Sequence, residues 1–402
     1  MKVVQPGDLA PPLANKLSTI GPSAIVAGRR ALSSAWRLAW RNLLQDRVRF
    51  ILSVVAIALS LMLILFLLGL RAGVRTSAIV YLDNAPGPVA VLPPGGRTTS
   101  AGAAQFLPLA VVQEVASTPG VARVTPILLT TGFAELHGRK EVIKLVGYDS
   151  TLGGGPWDIR EGREPASEDE VVLDRIVAAR HNLRIGDPFE VGGRSLTIAG
   201  FSNGTASWTG SYAFAWKATV ESLVLAPGAA SIVLVTPAPG TKPADLAATL
   251  RLMPGTSVLL KRELMDNDAE VISGIADQVI LLMVAAAFIV GALVVGMVIY
   301  TTTSERRAEY GILKAIGAGN GLLYRVVVAQ ALVAGTVGAF FGIGLAFAMR
   351  MLVIATKPQF LVTMEPPAIA ITVVAGLVMA VSGSVLPARS AGRMAPAEVF
   401  RR

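Results

Sequence analysis

The chain has 402 residues, no cysteine and two histidines; 53% of it is hydrophobic, 16% is charged, and the net charge is +9. Soluble domains are about one quarter charged, so composition excludes that class, and this much apolar sequence equally excludes a disordered chain. A basic balance would suit nucleic acid, but not at a mean hydropathy of +0.59; a membrane protein with its positive charge on one side fits both numbers.

Residues 1–29 are rich in Pro, Gly and small side chains and read as a flexible cytosolic tail. In 30–49, Trp36, Leu38, Trp40, Leu43, Leu44 and Val48 are interleaved with Arg30, Arg37, Arg41, Arg47 and Arg49. That pattern predicts a basic amphipathic helix on the inner leaflet, anchored at the membrane interface by Arg37, Trp40 and Arg41. A spanning helix needs about 20 consecutive apolar residues. Segments 50–70, 279–303, 326–349 and 368–386 qualify and carry no charge. The first is not a cleaved signal peptide, because it starts far from the N-terminus and no small-residue cleavage site precedes Arg71. Lys and Arg fix the orientation. Segments 1–49, 304–325 and 387–402 hold sixteen basic and five acidic residues, a net of +11, whereas the rest of the chain sums to −2. Both termini and segment 304–325 are therefore expected in the cytosol. Segment 71–278 and the loop 350–367 are expected outside.

Segment 71–278 reads as an α+β domain. Strands are expected at 121–130 and 170–174, with helices at 175–183 and 243–252 and a further strand at 231–235. One hairpin is expected from 133–137 and 141–147 around Gly138-Arg139. A second joins 188–191 to 195–201 about Gly192-Gly193, a favourable tight-turn pair. The Gly/Ser-rich loops 153–156 and 202–211 are expected at the outer end of the domain. Trp157, Trp208, Tyr212 and Trp216 lie near them, either offered to a partner or an acyl substrate or packed in the core.

Catalytic signals are missing from the sequence. No Gly-x-x-x-x-Gly-Lys-Ser/Thr phosphate loop occurs. Gly317-Ala318-Gly319-Asn320-Gly321 follows a helical segment and reads as a turn. His137 and His181 have no second histidine at ligand spacing, so neither a metal nor a catalytic role is expected. The acidic run Glu161, Glu164, Glu168, Asp169 and Glu170 reads as a solvated loop. Charge-free spans argue against an ion-driven carrier or a channel. Gly335, Gly338 and Gly342 share a face of the third span, and Gly338-x-x-x-Gly342 permits close helix packing, within the protomer or across a dimer. One segment stands apart: Glu305-Arg306-Arg307-Ala308-Glu309-Tyr310-Gly311-Ile312-Leu313-Lys314-Ala315-Ile316-Gly317-Ala318. It predicts a short cytosolic helix whose apolar face needs a cover.

This segment resembles the signature that FtsX-like permeases carry after their second span. Those proteins are the membrane subunits of MacB- and LolC/LolE-type (type VII) ABC transporters. Tyr310 stands where isoleucine is usual, and Gly319-Asn320-Gly321 replaces the commoner serine and basic residues. Ala39-Trp40-Arg41-Asn42-Leu43-Leu44 looks like the family's lead helix. Glu170-Val171-Val172-Leu173-Asp174 with Leu183-Arg184-Ile185-Gly186-Asp187 looks like its periplasmic core motif. Leu386-Pro387-Ala388-Arg389-Ser390-Ala391 and Pro396-Ala397-Glu398-Val399-Phe400 look like its ending. The single outer domain and its Gly-Gly-Pro-Trp stretch look most like the DevC branch.

The resemblance implies a fold of four transmembrane α-helices with an α+β extracytoplasmic domain inserted between helices 1 and 2, in a bacterial inner membrane. It implies a non-enzymatic permease that works with an ABC ATPase subunit and with a second permease copy or a paralogue. ATP and Mg would be bound by the ATPase, with no cofactor in this chain. Glu305, Arg306, Arg307, Glu309, Tyr310, Ile312, Leu313, Lys314 and Ile316 would couple to that subunit. Motion would pass to the outer domain, and the substrate would move outside the spans. Relatives act on lipoproteins, glycolipids, peptides or drugs, many with a periplasmic adaptor and an outer-membrane duct. A regulatory permease, activating an outer partner without transport, is the alternative.

Overall fold

The computed structural model describes residues 47–99, 105–136, 138–207, 210–305, 309, 311–312, 319–357 and 360–392. The tail 1–29 and the interfacial helix 30–49, apart from its last residues, lie outside that set. Helix α1 (Arg47–Asn84) leads to β1 (Val89–Leu92), α2 (Leu109–Ser117), β2 (Val121–Leu136), β3 (Arg139–Tyr148), β4 (Ile159–Gly162) and β5 (Glu170–Asp174). Then come α3 (Arg175–His181), β6 (Pro188–Val191), β7 (Arg194–Ser202), β8 (Ser211–Trp216), α4 (Lys217–Val224), β9 (Ile232–Pro237), α5 (Pro243–Leu250) and β10 (Ser257–Leu260). The chain returns through α6 (Lys261–Glu305), α7 (Asn320–Thr356) and α8 (Pro366–Gly392). Among the described residues, four helical stretches are long and apolar enough to cross a membrane: Phe50–Asn84, Ala276–Glu305, Asn320–Thr356 and Pro366–Val385.

The chain divides into two compact units. One comprises the described residues within Met1–Leu65, Val284–Ala346 and Pro366–Arg402. Lipid gives apolar helices no hydrophobic reason to associate, so their contact rests on close van der Waals fit. Glycine supplies that fit here. A Cβ on Gly338 would lie 2.6 Å from Ile57 Cγ2, and one on Gly342 would lie 2.8 Å from the Ala58 carbonyl oxygen. Gly335 faces Ala380 in the same way, and Gly376 faces Leu61. Of the two packings open to Gly338-x-x-x-Gly342, the contact is the one within the protomer, against α1.

The other unit comprises Phe66–Met283 and Phe347–Glu365. Its core is a ten-stranded mixed sheet, ordered β10-β1-β9-β2-β3-β8-β5-β7-β4, with β6 pairing β2 and β7. Side chains alternate across a strand, and that alternation sorts the core. On β9, Ile232 and Leu234 face the cluster that holds Tyr81, Leu82 and Leu264, from α1 and α6. Val233 and Val235 face the opposite way, against Val112 and Val115 of α2 and Leu246 and Leu250 of α5. β5 alternates likewise, with Val172 on the side of α1 and α6, and Val171 and Leu173 packed on the other with Phe189 and with Val220 of α4.

The expected hairpin at Gly192-Gly193 forms between β6 and β7. Both glycines have positive φ (58° and 79°), as a type I′ turn requires. The other expected hairpin turns one residue earlier than predicted. Gly138 (φ 74°) is in the turn, and Arg139 already pairs with Leu136. The expected strands 121–130 and 133–137 are one strand, since nothing between them breaks the ladder. Helix α3 stops at His181 because Asn182 takes the left-handed conformation (φ 52°), and Asp174 caps its start by accepting from the Ile176 amide.

Overpacking a tight contact costs roughly 1–3 kcal/mol. Gly338→Val should therefore lower the melting temperature of the detergent-solubilised protein by several degrees. Gly344→Ala, whose Cβ would meet nothing within 4 Å, should leave it unchanged in the same thermal-shift assay.

Candidate functional site

Two helices, α1 and α6, bracket the sheet in sequence, and both are longer than a bilayer needs. At 1.5 Å per residue the 38 residues of α1 extend about 57 Å and the 45 of α6 about 68 Å, against a hydrocarbon core of about 30 Å. The charge-free run 50–70 ends well before α1 does, and α6 starts 18 residues before 279. The excess forms a pair of stalks on the sheet.

Polar clamps tie these stalks to each other and to the domain. Arg71 donates through Nε (2.8 Å) and Nη2 (2.7 Å) to the two carboxylate oxygens of Asp277, 206 positions away. This forked geometry is the strong form of an ion pair. At the far end, Lys261 donates from its backbone amide to the Pro88 carbonyl (2.8 Å) and from Nζ to the Ala85 carbonyl (2.9 Å). The Tyr81 ring stacks on Tyr212 at 5.5 Å between centroids, and its hydroxyl donates to the Gly154 carbonyl (3.0 Å). Trp157 and Tyr148 meet Phe214 edge-on.

A buried carboxylate completes the clamp. Asn267 of α6 donates to the Arg97 carbonyl (2.9 Å). The neighbouring Asp268, only 3% exposed, accepts from the Thr99 amide (2.9 Å) and hydroxyl (2.8 Å). Burial raises the Asp268 pKa to about 6, against the opposing pull of the Thr99 hydrogen bonds and the Lys144 ammonium. Burial also lowers the Lys144 pKa, and its Nζ sits 5.3 Å over the Tyr212 ring. The sequence held a usable signal for Asp268. Once α6 is known to begin at Lys261, Asp268 falls four residues after the buried Leu264, on the same face.

Of the expected coupling residues, Glu305 ends α6 and is exposed, Glu309 is exposed, and Ile312 is 52% exposed. Arg306, Arg307, Tyr310, Leu313, Lys314 and Ile316 lie outside the described residues, as do Arg37, Trp40, Arg41, His137 and Trp208. The aromatic residues resolve in favour of packing. Tyr212 is buried under Tyr81, and Trp216 donates from Nε1 to the Pro165 carbonyl (2.9 Å). The Gly/Ser-rich loops are packed against the domain's core. Gly154 and Gly155 lie too close to Ile127 and the Tyr148 ring to admit a side chain, and the Thr205 hydroxyl donates to the buried Asp174 (2.6 Å). The acidic run is braced rather than merely solvated. Glu170 receives both arms of Arg163 at 2.6 Å, which holds its carboxyl below the usual range. Arg194 donates to Asp169 at 2.7 Å. His181 is buried 3.4 Å from Glu141 Oε2, and among the described residues no group of His, Cys, Asp and Glu could hold a metal ion.

Residues 50–252, about half of the chain, match the MacB-like periplasmic core domain, and residues 280–396 match the FtsX-like permease C-terminal domain. The chain belongs to the MacB-type, FtsX-like ABC transporter permeases. The permease is 26% identical over 349 residues to an uncharacterised ABC transporter permease of Mycobacterium tuberculosis, covering 87% of this chain and 92% of that one. It is 25% identical over 351 residues to another from Mycobacterium bovis, covering 86% and 94%. It is also 26% identical over 121 residues to the macrolide export ATP-binding/permease protein MacB of Chromobacterium violaceum, covering 30% of this chain and 19% of that protein. The periplasmic region of MacB from Actinobacillus actinomycetemcomitans aligns with 45% of the chain at 12% identity and a TM-score of 0.35, with 92% of that region covered. The permease is thus a membrane protein with an extracytoplasmic domain, and its family implies an ATPase partner.

Because folding raises the Asp268 pKa, ionisation of this group opposes folding. Its stabilising contribution is complete below about pH 4 and fades as pH rises through about 6. Asp268→Asn lacks that dependence. The melting temperature of the variant should exceed that of the wild type at pH 7.5, and the gap should close or reverse at pH 4.5.

Proposed function

We propose that this permease carries motion from a separate ATPase to its outer domain, so that a substrate is exported or extracted on the outer side without passing between the spans. The observation that carries the reading is the continuity of α1 and α6 from charge-free spans into the clamped stalks. An unbroken helix transmits displacement along its axis; Arg71–Asp277 ties the two helices to each other, and Asp268–Thr99 ties α6 to the loop that follows β1 of the sheet that must respond. Segment 305–318 is the proposed contact for the ATPase, with Arg306, Arg307 and Lys314 supplying charge and Ile312, Leu313 and Ile316 the apolar face. In this reading both termini lie in the cytosol of a bacterial inner membrane, which the basic excess of the short segments supports.

ATP and Mg belong to the partner in this reading, consistent with the missing phosphate loop. The working unit is a pair of permeases, identical or paralogous, with an adaptor and an outer-membrane duct as further partners. The substrate class is a lipid, lipoprotein, peptide or drug; the last is the cargo named for MacB of Chromobacterium violaceum, a macrolide exporter. A regulatory permease would use the same stalks to activate an outer partner.

The coupling is tested by reversing charge with Arg306→Glu and Arg307→Glu in the permease co-expressed with its ATPase. Co-purification and ATP hydrolysis by the complex should each fall about tenfold or more. Unchanged values for both would remove segment 305–318 from the interface.

A further inference from the structure

Astride the end of the first apolar run, α1 carries a pair of glycines at helical spacing, Gly69-x-x-x-Gly73. Residues four apart share a face, and this face is occupied by the strap between α7 and α8. The strap is pinned at several points. The Thr363 amide donates to the Gly69 carbonyl (3.0 Å) and Arg350 Nε donates to the Val362 carbonyl (2.9 Å). The Lys357 amide closes the end of α7 on the Val353 carbonyl (2.7 Å). Val362 is only 1% exposed. A Cβ on Gly69 would lie 3.1 Å from Val362 Cγ1 and 3.2 Å from Met364 Sδ, and one on Gly73 would coincide with the Leu361 carbonyl. At Gly73 the notch is filled by backbone, which cannot rotate aside as a side chain can, and at Gly69 by the Val362 and Met364 side chains.

Arg71 lies between the two glycines. At about 100° per residue it points to nearly the opposite side of α1, where it grips Asp277 of α6. Within two turns, α1 is thus held on one side by α6 and on the other by the strap that ends α7. We propose that Gly69 and Gly73 form the keyed socket of a collar that fixes the outer ends of α1, α6 and α7 as one body. The inference rests on the transmission reading and gives it a mechanical form. Displacement of any of these helices reaches the sheet as a tilt of the whole collar, and the strap does not slide along α1.

The chain has no cysteine, so Gly69→Cys/Val362→Cys can be introduced into the full-length permease, co-purified with its ATPase, without background thiols. The disulfide should form to the same extent in nucleotide-free and vanadate-trapped complexes. The cross-linked complex should retain its ATP hydrolysis within about twofold. Gly73→Leu, which drives the strap off the socket, should cut cross-linking at least tenfold. Arg350→Met, which releases the strap without adding bulk, should slow it several-fold while the ATPase still co-purifies. Cross-linking in only one nucleotide state would overturn the proposal, as would hydrolysis that stops on cross-linking and returns with reductant. Native cross-linking in both Gly73→Leu and Arg350→Met would also overturn it. Cross-link formation does not depend on segment 305–318, so the collar and the coupling reading fail separately.

Discussion

Close approach to α1 is the constraint on which the other parts depend. Hydrocarbon offers apolar helices no reason to prefer one another over lipid, and a single methyl group in the wrong place separates two backbones. In one unit the glycines belong to the partners, Gly338 and Gly342 of α7 and Gly376 of α8, and the Ile57 and Leu61 side chains and the Ala58 backbone that fill them belong to α1. In the other unit the roles reverse, and α1 itself supplies Gly69 and Gly73. The rod is ridged where it meets notched helices and notched where it meets a strap.

The parts legible in the sequence were those governed by neighbours in the chain. Charge-free runs marked the spans, and Gly192-Gly193 marked a turn whose φ values only glycine adopts at low cost. β5 and β6 were found to the residue because each is bounded by its own punctuation. β8 was missed because Ser211–Ala215 is buried on both sides, which erases the alternation that announces a strand; its aromatics left both exposure and core packing open. β1 and β10 are four residues each, too short to show a period. The stalk clamp was hidden for a different reason. Arg71 and Asp277 are 206 residues apart, and no local pattern connects them. Gly69-x-x-x-Gly73 has the same spacing as the glycines noticed at 338 and 342, but the apolar run ends at Leu70 and the pair straddles that limit.

The acidic side chains of the outer domain divide by environment. Glu170 and Asp158 lie where an arginine or an asparagine amide stabilises the anion, so their carboxyls are held below the usual range. Asp174 and Asp268 are pushed the other way by burial, and each is partly compensated by a threonine that donates through both hydroxyl and amide. The first pair braces surface loops. The second holds loops, at Thr99 against α6 and at Thr205 against the start of α3, where an unanswered buried carboxylate would be far more costly.

Strand β1 follows the first stalk and is flanked by β9 and β10, the last two strands made. The sheet therefore cannot close until residue 260 has emerged, and the next residue already begins α6. The β-rich chain from Val89 to Leu260 must wait, with its edges open, for the segment that also starts the second membrane insertion. Pairings of such long sequence separation are slow to form. In a growing chain, completion of the outer domain and threading of the second span become one event, and a ribosome that stalls short of that point leaves neither.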